Sequence, residues 1–133
     1  MSDRVAIVTG ASSGIGRAVA VLAARSGWSL VLSGRCPSRL AETAEMLALH
    51  DDASAVCVTA DLQEADAARH LADSARQAMG RIDAVISVAG EAKMVPLHEE
   101  TREHMQRLLL INAIAPAELV AACWADLDAA QPG

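Results

Sequence analysis

The sequence predicts a parallel, doubly wound α/β sheet. Four short apolar runs alternate with four longer helical patterns along its 133 residues. The runs are continuously apolar rather than alternating, as strands covered on both faces must be. Helices of ten or more residues between them imply crossover connections, and therefore parallel pairing. The length suits one ordinary domain with a core of its own.

The first strand is Val5-Ala6-Ile7-Val8, followed at once by Thr9-Gly10-Ala11-Ser12-Ser13-Gly14-Ile15-Gly16. The next helix carries a stripe of Ile15, Val19, Leu22 and Ser26 and stops at Gly27. Leu30-Val31-Leu32 forms the second strand and runs into Ser33-Gly34-Arg35. Pro37 and Ser38 open a helix with Leu40, Ala44 and Leu47 on its apolar side. The third strand, Ala55-Val56-Cys57-Val58, leads to Asp61 and a helix from about Glu64 to Met79, which Gly80 closes. Ile82 to Ile86 make the fourth strand, ending in Ser87-Val88-Ala89-Gly90. A polar loop through Pro96 precedes a long helix with Met105, Leu108, Leu109, Leu119 and Cys123. The chain reaches Gln131-Pro132-Gly133 where the next strand of such a sheet would start. The pattern is therefore expected to be truncated after about four βα units.

Composition narrows the function. The formal net charge of −6 argues against a nucleic-acid backbone as partner. Tyrosine is absent and Lys93 is the single lysine, so no phenol of this chain can serve as acid or base. Val5 to Gly16 is the longest stretch without a charge, too short for a membrane span, and no leader segment precedes it. A cytoplasmic protein is expected. Cys36, Cys57 and Cys123 are odd in number and scattered, which suits a reducing compartment better than a disulfide framework. His98 and His104 are six apart and share no helix face, so no metal site is expected among them, Glu99 and Glu100. Glu99, Glu100 and Glu103 suit the first turns of a helix. His50 and His70 are expected at the surface, and Cys123 and Trp124 in packing.

The glycine loop carries the chemistry. Gly10 permits a tight turn, Gly14 lets backbone approach a bulky group, and Gly16 removes a side chain where helix meets strand. The helix that follows offers free N–H groups and a partial positive charge to a pyrophosphate. The spacing is G-x-x-x-G-x-G rather than the common G-x-G-x-x-G.

Thr9 to Ala18 resembles the cofactor loop of the short-chain dehydrogenase/reductase family. Gly80-Arg81-Ile82-Asp83 leading to Ala89-Gly90 is similar to that family's fourth strand and N-N-A-G motif. Ser87-Val88 stands in place of the two asparagines, and Val88 has no side-chain amide to order the segment. Asp61-Leu62 matches the family's acidic position after the third strand, and Ile111-Asn112 its central helix asparagine. The resemblance implies an NAD(P)-binding, Rossmann-like domain over residues 1–133, the N-terminal portion of the family's fold. Cofactor-binding positions carried over are Gly10, Ser12, Ser13, Gly14, Ile15, Gly16, Arg35, Asp61, Leu62, Ala89 and Gly90; the catalytic position is Asn112. The family's catalytic Ser and Tyr-x-x-x-Lys lie beyond the central helix and are absent here. These 133 residues alone are expected to be inactive.

Ser33-Gly34-Arg35 offers a guanidinium where an NAD-binding relative would place a carboxylate, which implies NADP(H) in preference to NAD. Arg35 as a plain solvated loop charge is the other reading. Asp61 either meets the adenine amino group or caps the next helix. Asn112 either holds a water of the proton relay or is a helix residue satisfied by its neighbours. The whole protein is expected to transfer hydride between NADP(H) and a carbonyl or alcohol substrate, as a homo-oligomer. The alternative is a dinucleotide-binding or interaction module without chemistry.

Overall fold

The computed structural model describes residues 4–49 and 54–130. His50 and Gln131-Pro132-Gly133 lie outside the described residues. The strands are β1 (Val5–Thr9), β2 (Ser29–Gly34), β3 (Ala55–Thr59) and β4 (Ala84–Ser87). They form one parallel sheet in the order β3-β2-β1-β4. Helices α1 (Gly14–Arg25), α2 (Pro37–Leu47) and α3 (Ala67–Met79) make the crossovers. After β4 a 3₁₀ turn at Leu97–Glu99 leads to α4 (Arg102–Leu109), a π-helical turn (Leu110–Ile114), α5 (Ala115–Ala122) and α6 (Trp124–Ala129).

Side-chain alternation along β1 feeds two cores. Val5 and Ile7 join Val31, Leu71, Ala75, Leu119 and Cys123 on the α3–α5 side. Ala6 and Val8 join Ala20, Ala24, Leu30, Leu40 and Leu47 on the α1–α2 side. Both faces of the inner strands are covered, which is why β1 and β2 read as unbroken apolar runs. The strand order proceeds outward from β1 to one side through β2 and β3 and then switches to the other side with β4. The crossovers leaving β1 and β4 part at that point, which opens a crevice at the C-terminal ends of those strands. At the opposite end Asp83 accepts the Val5 N–H at 2.7 Å and holds Arg81 through both carboxylate oxygens. Burial opposes its charge, but Arg81 and the Val5 N–H outweigh it and keep the carboxyl below its ordinary value.

Several expectations need correction. The buried face of α1 is Gly16, Ala20 and Ala24, whereas Ile15 and Leu22 are exposed. Small residues win because α1 lies close against the loop that enters it. The third helix begins at Ala67 with Asp66 at its cap, later than Glu64, and β4 begins at Ala84 rather than Ile82. The long helix contains the π turn, and Met105, Leu109 and Trp124 are largely exposed while Ile111, Leu119 and Cys123 are buried. Burial pushes the Cys123 thiol up to about 11, as expected of a packing residue. By length and composition alone the run Arg102–Ala122 suffices to cross a membrane, which the short charge-free stretches had excluded. Ile111, Ala115 and Leu119 of this run are buried, while Met105, Leu109, Ile114 and Val120 are exposed. Of the three clustered acids only Glu103 lies in the first turn of α4; Glu100 precedes the Thr101 cap and pairs with His104.

Candidate functional site

The crevice beyond β1 and β4 is a cleft of about 450 Å³, within the usual size of ligand pockets. The glycine loop, the end of β2, the turn after β3 and the segment after β4 line it. Of the predicted site residues, Gly10, Ser12, Ser13, Gly14, Ile15, Gly16, Arg35, Asp61, Leu62, Ala89 and Gly90 all lie on its wall. Asn112 is not on that wall; it is exposed and adjoins Ile111, which does line it.

The three glycines have three separate reasons. Gly10 has a φ of +66°, and a Cβ there would lie 2.8 Å from the Ala89 nitrogen. Adjacent parallel strands bring the two loops that close together. Gly14 has a φ of +54° and faces open space, with nothing within 4 Å of a built Cβ. A Cβ on Gly16 would lie 1.9 Å from the Gly10 carbonyl oxygen, so the contact is with the loop's own turn rather than with the strand. Gly14 is the first residue of α1, and Ser13 before it is extended and makes no side-chain cap. The first N–H groups of the helix have no intrahelical acceptor and face the open space above Gly14, a ready anion site.

The segment after β4 is ordered without the missing asparagine. Thr9 Oγ1 accepts from Val88 N–H at 3.2 Å and from Ala89 N–H at 3.1 Å. From the other side, Asn112 accepts the Glu91 N–H at 2.9 Å and donates to the Glu91 carbonyl at 2.7 Å. Asn112 sits in the π turn, and its Oδ1 would lie 2.9 Å from a Cβ on Gly90. Glu91 lines the cleft, and its carboxylate is held by Arg107 at 2.8 Å. That guanidinium, with smaller help from Arg35 and His104, keeps the Glu91 carboxyl below its ordinary value.

At the other end of the cleft, Arg35 projects from the end of β2 and is exposed. A Cβ on Gly34 would press on Ser12 Oγ at 3.1 Å. Asp61 does not cap α3; it accepts the Gln63 N–H at 3.0 Å and closes a turn at the cleft wall. Three supports were missed from sequence: Thr9, Arg17 and Thr43. Each had a visible signal. Thr9 ends an otherwise apolar strand, Arg17 is a cation inside the glycine loop, and Thr43 is the one polar residue on the buried stripe of α2.

The short chain dehydrogenase family profile matches residues 4–133. The 1-deoxy-11-beta-hydroxypentalenate dehydrogenase of Streptomyces arenae is 40% identical over 114 residues, covering 82% of this chain and 39% of that protein. L-sorbose reductase from Gluconobacter frateurii, solved with NADPH and L-sorbose, superposes with a TM-score of 0.91 at 28% identity, covering 96% of this chain and 49% of that one. Carveol dehydrogenase from Mycobacterium avium, solved with NAD, gives 0.86 at 26% identity, covering 96% and 50%. The chain spans less than half the length of the curated relatives it matches, 48% for an oxidoreductase of Staphylococcus saprophyticus.

Proposed function

Because this chain belongs to the short chain dehydrogenase family, we propose that it is the NADP(H)-binding portion of an oxidoreductase acting on a small carbonyl or alcohol. One observation carries the reading: the uncapped start of α1, the open space above Gly14 and the exposed Arg35 face one cleft. A dinucleotide with a 2′-phosphate has an anion for each end. The backbone from Ser12 to Gly16 cradles the pyrophosphate, and Arg35 takes the 2′-phosphate through charge-assisted bonds. Asp61 and Leu62 flank the adenine, and Ala89 and Gly90 bring bare backbone to the ribose beyond it. Asn112 holds that backbone in place through Glu91. When bound, the nicotinamide supplies or accepts the hydride; the residues of this chain bind and orient it. Relatives solved with NADPH and with NAD support the dinucleotide and leave the choice to Arg35.

With no tyrosine in the chain, proton transfer to a substrate oxygen has no phenol to use. The second reading is a module that binds dinucleotide without turnover. Titration of NADPH and NADH into the wild type and Arg35→Ala tests the first. Loss of charge-assisted bonds should weaken NADPH by roughly 10- to 100-fold and leave NADH nearly unchanged. Equal NADPH affinity in the two proteins would refute the assignment.

A further inference from the structure

Arg17 is the most heavily bonded cation near the cleft, yet it touches none of the space a ligand would fill. It follows Gly16 on α1, and its guanidinium reaches into the angle between the glycine loop and α2. Its Nη2 donates to the Ser12 carbonyl at 2.8 Å and to the Arg39 carbonyl at 3.3 Å. The same nitrogen pairs with Glu42 at 3.0 Å, and Nε donates to Thr43 Oγ1 at 2.9 Å. Thr43 is fully buried and donates in turn to the Ala11 carbonyl at 2.8 Å. Two carbonyls of the loop are thus tied to the first two turns of α2. The residue that opens the approach to α2 is Arg35.

We infer that Arg17 is a positioning residue for cofactor discrimination: it fixes the distance between the glycine loop and the Arg35 end of the cleft. The inference rests on the dinucleotide reading above. A ligand with anions at both ends must match that distance, whereas one without the 2′-phosphate has no anion at the Arg35 end to be matched. The cradle itself has other supports. Ala11 N–H bonds to the Ser33 carbonyl at 3.0 Å, and Thr9 ties the loop's entrance to Ala89. Cutting the Arg17 bridge should therefore leave the cradle and the end of β2 standing while the start of α2, which follows Arg35 and sets its outer side, loosens.

The test is a titration of the full chain with NADPH and with NADH, using Arg17→Met, Arg17→Lys and Thr43→Val. Thr43→Val cuts the same bridge from the α2 side with little change of shape, and decides the matter if Arg17→Met does not fold. Folding of each is followed by circular dichroism. Arg17→Met and Thr43→Val should weaken NADPH by about tenfold, the scale of one lost hydrogen bond to a charged group, and NADH by less than about threefold. Arg17→Lys, which keeps a charge within reach of the Ser12 carbonyl, should recover part of the NADPH affinity. Equal losses for both dinucleotides would mean a merely structural role, and unchanged NADPH binding in the folded variants would mean none; either overturns the inference. A wild type that binds neither dinucleotide would instead overturn the proposed function on which it rests.

Discussion

Gly14 and Gly16 lie two positions apart, and the structure gives their substitution opposite consequences. A Cβ on Gly16 would stand 1.9 Å from the Gly10 carbonyl oxygen and 2.5 Å from its carbon. Both are backbone atoms, so no side chain can swing aside. Carbon and oxygen in contact need about 3.3 Å, so the loop or helix must retreat by roughly 1.4 Å from the built 1.9 Å. Overpacking of this kind costs about 1–3 kcal/mol or more. For 133 residues the whole stability is roughly 7–20 kcal/mol. Gly16→Ala should therefore lower the melting temperature by about 10 °C or more. Gly14→Ala meets nothing within 4 Å and suffers only from its φ of +54°, a cost of about 1 kcal/mol and about 4 °C. Its methyl group, however, stands over the N-terminus of α1. It should weaken NADPH at least about tenfold, one hydrogen-bond energy, and the branched Gly14→Val should leave no measurable binding. Circular dichroism melts and NADPH titration of the three variants check both halves. If Gly16→Ala melts with the wild type, the packing argument fails; if Gly14→Val binds NADPH normally, the loop does not hold the pyrophosphate.

Asp83 sets an acid limit: its folded pKa lies below the unfolded value near 3.9, so its contribution is present above about pH 4 and is lost as pH falls through the folded value. Melts from pH 7 to pH 2 should show Asp83→Asn less stable at neutrality and less sensitive to acid than the wild type. Asn112→Ala removes both side-chain bonds to Glu91 and should cost about 1 kcal/mol. Hydrogen exchange should quicken at Glu91 and stay slower at Ala89, which Thr9 still holds. The 133-residue polypeptide should not oxidise NADPH with any of a panel of ketones, since loss of a general acid costs about 10²–10⁴-fold; turnover at an ordinary enzyme's rate would overturn this.

The sequence by itself determined the order of strands and helices, their parallel pairing and the place of the glycine loop. Each of these depends on near neighbours: unbroken apolar runs, a Pro at a helix start, a Gly at a helix end. It also placed eleven of the twelve candidate site residues on one cleft wall, because all eleven follow the C-terminal end of a strand, where a parallel sheet collects them. The buried face of α1 was not legible. Periodicity favours large apolar residues such as Ile15 and Leu22, but the 1.9 Å approach at position 16 admits only a glycine, and the face it fixes carries Ala20 and Ala24 into the core. Nor were the partners of the supporting side chains legible. Thr9 acts on Ala89 from 80 positions away, Arg17 on Thr43 from 26, and Asn112 on Glu91 from 21. Local pattern carries the character of a side chain along its own element. The distance to a partner on another element exists only once both pack on the same sheet, and the structure alone supplies it.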